Sequence, residues 1–184
     1  HSEAGTAIFG AIKYIVYSNP SIIISENVIQ AQTSATYILL KAELKRLGYN
    51  IKEFILDDTH AGSLEKRKRY WFVAVSKGLN ILPELESMKF KKEYKNIQEI
   101  LEDDAKMNWF EATYFDKREK TNLESGRGFK KNFVKSTDES VGVITRNYTK
   151  RQISNPHYIK GDKIRLFSLK EHARIKGIPD TLLD

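Results

Sequence analysis

Four groups of side chains in this sequence could do chemistry. Glu26-Asn27-Val28 follows the β-branched run Ser21-Ile22-Ile23-Ile24-Ser25, which sets a carboxylate just past an apolar strand. A carboxyl group so placed can share a proton with a substrate heteroatom, and general-acid help of that kind is worth roughly 10²–10⁴ in rate. Taken alone, such a tripeptide is more often an exposed loop carboxylate. Lys66-Arg67-Lys68-Arg69 opens a later strand. An arginine fork grips a phosphate or a base edge bidentately; a solvated basic turn is the plainer alternative. Residues 117–151 hold ten Lys/Arg against four Asp/Glu, so +6 of the chain's net +7 lies in that stretch. Arg127, Lys130, Lys131, Arg146, Lys150 and Arg151 are interleaved there with Phe129 and Tyr148. A localised basic block points to a polyanion, whereas evenly spread charge implies only a solvated surface. Asn108-Trp109-Phe110 and Tyr114-Phe115 form an aromatic patch that can stack on bases or, more commonly, pack.

Composition removes several other classes. The 184 residues contain no cysteine, which excludes disulfides, thiolate zinc sites and a cysteine nucleophile supplied by this chain. His1, His60, His157 and His172 share no metal-ligand spacing, so no metal site is expected. No apolar run approaches the roughly 20 residues that cross a bilayer. Nor does a charged segment precede an apolar stretch in the manner of a signal peptide.

The elements that must position these groups alternate in type. Apolar residues Ile8, Ile12, Ile15 and Val16 predict a helix over 4–18, stopped by Asn19-Pro20 because a residue before proline is pushed out of the helical region. The isoleucine run has no alternation and predicts a strand buried on both faces, as in a parallel sheet. A helix capped by Ser34 carries Tyr37, Leu40, Leu44 and Leu47 and closes at Gly48. Strands follow over 49–56 and 70–75, separated by a turn at 57–63. This order predicts an α/β sheet with crossover connections, in which chemistry collects at the carboxyl ends of the strands. Residues 79–104, with Ile81, Leu82, Leu85, Ile97, Ile100 and Leu101, read as short helices and loops, and 126–159 as irregular β structure. Ser168 with Glu171 makes a capping box for a last helix whose Leu169, Ala173 and Ile175 face inward. Gly177 and Pro179 close it.

Three of these pieces, in this order, resemble the DNA (cytosine-5) methyltransferases. Glu26-Asn27-Val28 is similar to that family's Glu-Asn-Val motif. Glu65-Lys66-Arg67-Lys68-Arg69 is similar to its Gln-x-Arg-x-Arg motif, with Glu65 in place of glutamine. Arg165 to Asp180 is similar to its Arg-x-Leu-Thr-x-Arg-Glu-x-Ala-Arg-Leu-x-Gly-Phe-Pro-Asp motif, with Ser168 for threonine and Lys170 for arginine. Between the second and third motifs the family carries its target-recognition domain. Gly126-Arg127-Gly128-Phe129 and Ile144–Arg151 resemble one bacterial subgroup of it, except that Val143 stands where a threonine is usual.

The resemblance implies an α/β fold: a partial Rossmann-like methyltransferase sheet over 1–76, an irregular β-rich recognition domain over 77–163, and a C-terminal helix motif over 164–184 leading back to the catalytic domain. It implies a thiolate, absent from this chain, that attacks C6 of a flipped cytosine, with Glu26 stabilising the charge that moves toward N3. Arg69 would hold the base O2 or an adjacent phosphate, Arg67 would support the loop around it, and Asn27 belongs to the same site. Arg127, Lys130, Lys131, Arg146, Tyr148, Lys150 and Arg151 would meet double-stranded DNA. S-adenosylmethionine would be bound mainly by segments not in this chain, which lacks the family's glycine-rich loop, Pro-Cys loop and final asparagine/glycine motif. The chain would then be a fragment or subunit, inactive by itself, completed by an N-terminal part or a partner chain carrying the nucleophile. The setting implied is cytoplasmic and DNA-associated, bacterial or phage-like. A non-catalytic DNA-binding specificity subunit acting with a partner is the alternative. The insert of roughly 90 residues argues against an RNA-methylating relative, because reading a duplex takes that bulk.

Overall fold

Asn19-Pro20 ends the first helix as the sequence requires. α1 (Glu3–Ser18) stops where Asn19 takes φ +43° and its N–H donates to the Ile15 carbonyl. β1 (Ile22–Asn27) follows, then a short 3₁₀ turn over Ile29–Thr33. α2 (Ala35–Arg46) begins at Ser34, whose hydroxyl accepts the Tyr37 N–H, and ends before Gly48 at φ +88°. β2 (Tyr49–Leu56), the single-turn α3 (Asp58–Ala61) and β3 (Arg69–Ser76) complete this half. The computed structural model describes residues 3–79, 81, 84 and 87–183, so Leu82 and Leu85 lie outside the described residues.

The chain forms two compact units, His1–His60 with Lys68–Lys89 and Ala61–Arg67 with Phe90–Asp184. The division differs from boundaries at 76 and 163: the 61–67 segment and the C-terminal helix both belong to the second unit.

In the first unit the sheet order is β1-β3-β2, and both hydrogen-bonded pairs are antiparallel. This corrects the expected parallel pairing. β1 and β2 run in the same direction, joined by the α2 crossover, but β3 inserts between them. A second correction concerns the isoleucine strand. It is not buried on both faces: Ile22 and Ile24 are half or more exposed while Ile23 packs inward. α1 and α2 cover one sheet face, where Tyr70, Phe72 and Ala74 meet Ile15, Leu40, Leu44 and Tyr49. On the other face Trp71, Val73 and Val75 gather with Phe54 and Leu56.

The second unit is built on a four-stranded sheet. β4 (Phe110–Glu111), β5 (Asn132–Val134), β6 (Pro156–Lys160) and β7 (Lys163–Arg165) lie in the order β4-β7-β6-β5, with only β5 and β6 parallel. Between β4 and β5 the chain forms α4 (Asp116–Glu124), a helix inside the basic stretch that the sequence pattern did not reveal. Phe110, Phe133, Ile159 and Ile164 pack with Phe115 and Ile153 on one sheet face. Val134 and Tyr158 pack on the other with Leu64, Ile97, Ile100, Val141, Ile144, Tyr148, Phe167 and Ile175. Gly62 holds the 61–67 segment in this unit: at φ +66°, a Cβ there would lie 2.8 Å from the Phe90 carbonyl oxygen and 2.9 Å from that of Lys91.

α5 (Leu169–Ile175) starts with the full capping box of Ser168 and Glu171, and Gly177 follows it at φ +74°. Ala173 and Ile175 are buried as expected, but Leu169 is 83% exposed. The inward position of the first turn belongs to Glu171, which is drawn to a buried arginine. Among the described residues no helix is long and apolar enough to cross a membrane.

Candidate functional site

Register explains how the first unit assembles a charged pair. Glu26 and Asn27 are the last two residues of β1 rather than the first of a loop, opposite Trp71 and Tyr70. Side chains alternate along a strand, so Glu26 shares a face with Trp71 and, diagonally, with Arg69. Arg69 Nε lies 2.9 Å from Glu26 Oε1, with side chains 22% and 36% exposed. Arg69 Nη1 also donates to the Lys68 carbonyl at 2.8 Å, which braces the guanidinium against its own strand.

The opposite face fixes the neighbours. Asn27 Nδ2 donates to Tyr37 Oη at 2.9 Å, its Oδ1 accepts the Val28 N–H at 2.8 Å, and Ser25 Oγ lies 3.1 Å from the same phenol. Asn27 therefore pins the end of β1 to α2 and points away from Glu26. Tyr70 Oη donates to Glu53 at 2.7 Å, and Lys41 reaches the same carboxylate at 2.9 Å. Burial pushes the Glu53 carboxyl up, but those bonds outweigh it and hold the group below the ordinary carboxylate range. With Tyr70 and Asn27 committed inward, Arg69 and Glu26 face out together. Arg67 belongs to the second unit.

A groove of about 680 Å³ runs between α1, β1 and α2. Its walls are Ile8, Ile15, Ile23, Leu40 and Phe72, and the polar Ser25, Asn27 and Tyr37 on its lining are bonded to one another. Among the described residues no carboxylate lines it. A ribose diol is normally held by an acidic residue, so this groove does not by itself fit S-adenosylmethionine. Among the described residues there is also no cluster of three His, Asp or Glu that could hold a metal.

In the second unit the basic loops are ordered from beneath. Asn155 is fully buried. Its amide donates to the carbonyls of Tyr148 at 3.3 Å and Lys150 at 3.0 Å, and its Oδ1 accepts from Thr145. Tyr148 is a core residue, its hydroxyl donating to the Pro156 carbonyl at 2.7 Å and accepting the Phe167 N–H at 2.8 Å. It acts on the loop from inside and has no surface to offer a ligand. Arg146, Lys150 and Arg151 project outward from that frame. The 126–131 loop is tied to α4 in the same way. Arg127 N–H donates to the Asn122 carbonyl, and Lys131 N–H to Glu119 Oε1. Lys131 Nζ is paired with Asp116 at 2.6 Å and Glu119 at 3.3 Å, so it anchors the loop, while Arg127 and Lys130 are exposed.

Two further residues carry weight that sequence reading missed. Glu65, in the position of the family's glutamine, is 4% exposed. Its Oε1 accepts the Ile144 N–H at 2.8 Å and its Oε2 meets Lys176 Nζ at 2.7 Å, joining three distant segments. Arg165 grips Glu171 through two parallel bonds of 2.7 and 2.8 Å, its guanidinium lying over the rings of Trp109 and Tyr158. Both motifs were visible in the sequence. Their partners, set by tertiary contact, were not.

A sheet whose strand end pairs a carboxylate with an arginine, in a chain with a second, basic β unit, makes this a mixed α/β chain. Comparison gives the family: residues 1–182 match the model of the C-5 cytosine-specific DNA methylases, and the chain belongs to it. Among curated proteins it is 27% identical to the type II methyltransferase M.MspI of Moraxella sp., over 97% of this chain and 43% of that protein. Among solved structures it is similar to the S. pombe Dnmt2 methyltransferase, with TM-score 0.71, 22% identity, and coverage of 96% of this chain and 61% of that one. The Entamoeba histolytica methyltransferase EhMeth matches with TM-score 0.60 at 20% identity, over 85% and 50% of the two chains. The chain thus spans less than half the length of the curated relative.

Proposed function

We propose that this chain is the part of a DNA (cytosine-5) methyltransferase that supplies the N3-stabilising carboxylate and the DNA-recognition region. The nucleophilic thiolate must come from outside these 184 residues, which hold no cysteine. The S-adenosylmethionine site likewise needs residues beyond those of the apolar groove. β1 supports this reading: among the described residues it pairs on one side only, with β3, and Ile22 and Ile24 stand exposed on its outward face. The rest of the fold, from the same protein or a partner chain, would pair with the edge of β1 away from β3 and cover the face that bears Ile22 and Ile24.

The observation that carries the proposal is the contact of Glu26 with Arg69 at the carboxyl end of β1. As a thiolate adds to C6 of a flipped cytosine, negative charge grows on N3, and a carboxyl group hydrogen-bonded to N3 stabilises it. Arg69 holds Glu26 in place and presents its remaining N–H groups to the base O2 or an adjacent phosphate. Arg127, Lys130, Arg146, Lys150 and Arg151 supply phosphate and base contacts from the two anchored loops, and Lys131 and Tyr148 keep those loops in shape.

In the complete enzyme, Glu26→Gln is expected to lower methyl transfer by roughly 10²–10⁴ while changing duplex affinity little, because the carboxyl acts as charge develops and not in the ground state. Equal losses in affinity and turnover would reduce Glu26 to a binding residue and remove the catalytic assignment.

A further inference from the structure

We propose that a cleft in the second unit, between Arg151 and the 106–108 turn, holds a backbone phosphate of duplex DNA. The cleft has a volume of about 340 Å³. Phe110 and Phe167 form its floor, and Lys106, Asn108, Thr149 and Arg151 its rim. That size admits a sugar-phosphate unit.

Three features fit a phosphate. First, the Arg151 guanidinium lies 4.6 Å from the centre of the Phe110 ring. Stacking restrains the plane of the fork and leaves its N–H edge free, so less rotamer freedom is lost when an anion binds. Second, the support is rigid. Phe110 is pinned by edge contacts to Tyr114, Phe115 and His157 and by pairing of β4 with β7. The backbone entering Arg151 is held where Gln152 N–H and Asn155 Nδ2 both donate to the Lys150 carbonyl. Third, the charge is one-sided. Among the described residues neither Lys106 nor Arg151 is in an ion pair, and no carboxylate lines the cleft. The nearby Glu102 accepts from Ser168 Oγ, and Asp104 is engaged by Lys160 and Arg165. Asn108 and Thr149 add neutral hydrogen-bonding groups matched to phosphate and sugar oxygens.

Arg146 and Lys150 leave the same loop as Arg151, so the anion in the cleft belongs to an extended backbone and not to an isolated ion. The inference rests on the DNA-recognition reading above. It adds a specific seat, with Lys106, Asn108, Thr149 and Phe110 as its members.

The test is a salt titration of duplex binding by the complete protein, with thermal melting to confirm that each variant folds. Wild type should bind, and Arg151→Ala and Lys106→Ala should each flatten the slope of log K against log salt by about 0.9. Arg151→Lys keeps the charge but loses the stacked fork, and should keep the slope while weakening binding about 2- to 5-fold. Phe110→Leu should behave as Arg151→Lys does. If wild type ignores duplex DNA and binds only RNA, the DNA-recognition reading falls. If wild type binds duplex but Arg151→Lys matches it, or the alanine variants keep the full slope, the cleft is only solvated surface. A mononucleotide that displaces duplex at a concentration equal to that of the duplex nucleotides would assign the cleft to a free nucleotide and overturn the backbone assignment.

Discussion

Two glutamate–arginine pairs of nearly equal length occupy the two units, Glu26–Arg69 at 2.9 Å and Glu171–Arg165 at 2.7 Å, and their surroundings make them opposites. The first is 36% and 22% exposed at a strand end. The second is 0% and 1% exposed, bidentate, capped by aromatic rings, and further bonded to the backbone N–H groups of Glu102 and Ser168. An exposed pair is screened by water and opens at little cost, so either partner can be exchanged for a substrate atom. A buried pair cannot open without stranding a charge in low dielectric. The same two side chains therefore make an exchangeable contact in one unit, as the proposed role of Glu26 requires, and a fixed one in the other.

Breaking the buried pair should give the largest effect on stability. Glu171→Ala leaves the buried Arg165 with only its longer contact to Asp104 at 3.5 Å and removes the acceptor for two backbone donors, which is expected to destabilise the second unit by about 3–5 kcal/mol. Of the two tryptophans, Trp71 lies in the first unit and Trp109 in the second, so a Trp71→Phe background reports the second unit by fluorescence in urea. A loss below about 1 kcal/mol would erase the distinction between the two pairs.

Glu65 sits between the extremes, buried itself but paired with the half-buried Lys176. Glu65→Gln restores the residue type that the sequence resemblance expects. It keeps an acceptor for the Ile144 N–H and loses the charge opposite Lys176, so the same fluorescence assay should show a loss of about 1.5–3 kcal/mol. Stabilisation would mean that desolvating the carboxylate outweighs its two partners.

These pairs also mark what a sequence can disclose. Helix limits were legible because caps are local: Ser34, Gly48, Ser168 with Glu171, and Gly177 all do what their types require. β2 and β3 were legible from composition. The misreadings are nonlocal. Three consecutive isoleucines look like a strand buried on both faces, and only the pairing with β3 shows that Ile22 and Ile24 lie on an open side. Strand order, which makes the sheet antiparallel, depends on a β3 more than 40 residues from β1. Glu26 and Arg69 could be named from their motifs, but their contact depends on that same register. The partners of Glu65 lie 79 and 111 residues away, and nothing in the local pattern announces them. Asn155, which shapes the loop bearing Arg146 and Arg151, carries no motif at all.

The units should also separate by pH. In the second unit burial lowers the pKa of His157, helped by nearby Arg151 and opposed by the Asn155 carbonyl. Burial likewise lowers that of His172, with Lys176 adding to it and Glu65 opposing. A histidine held neutral in the fold takes up protons more readily when unfolded, so its contribution is complete above about pH 6.5 and is lost as pH falls below that value. In the first unit Asp57 is lowered to about 2 by hydrogen bonds from Thr59 and His60. Its contribution is complete above the ordinary value of 3.8 and fades only as pH falls toward 2. Urea midpoints between pH 7 and 5 should therefore drop for the Trp109 reporter and hold for a Trp71 reporter in a Trp109→Phe background. Parallel decline of both would show that the histidines do not set the difference.

The smallest effect is expected where the catalytic assignment is strongest. Glu26→Gln removes one partner of a pair that water already screens, and Arg69 keeps its bond to the Lys68 carbonyl and its access to solvent. Double-mutant measurements on exposed pairs place such contacts at about 0–1 kcal/mol, so the first unit should unfold at nearly the wild-type urea concentration, read by Trp71. Set beside a turnover loss of roughly 10²–10⁴, that result separates chemistry from folding: a carboxylate that matters to rate and hardly to stability is held for its substrate. A stability loss of about 3 kcal/mol, as large as for Glu171, would instead make Glu26 a second architectural residue. The fall in activity would then follow from a disordered strand end, and the contrast between the two pairs would collapse from the exposed side.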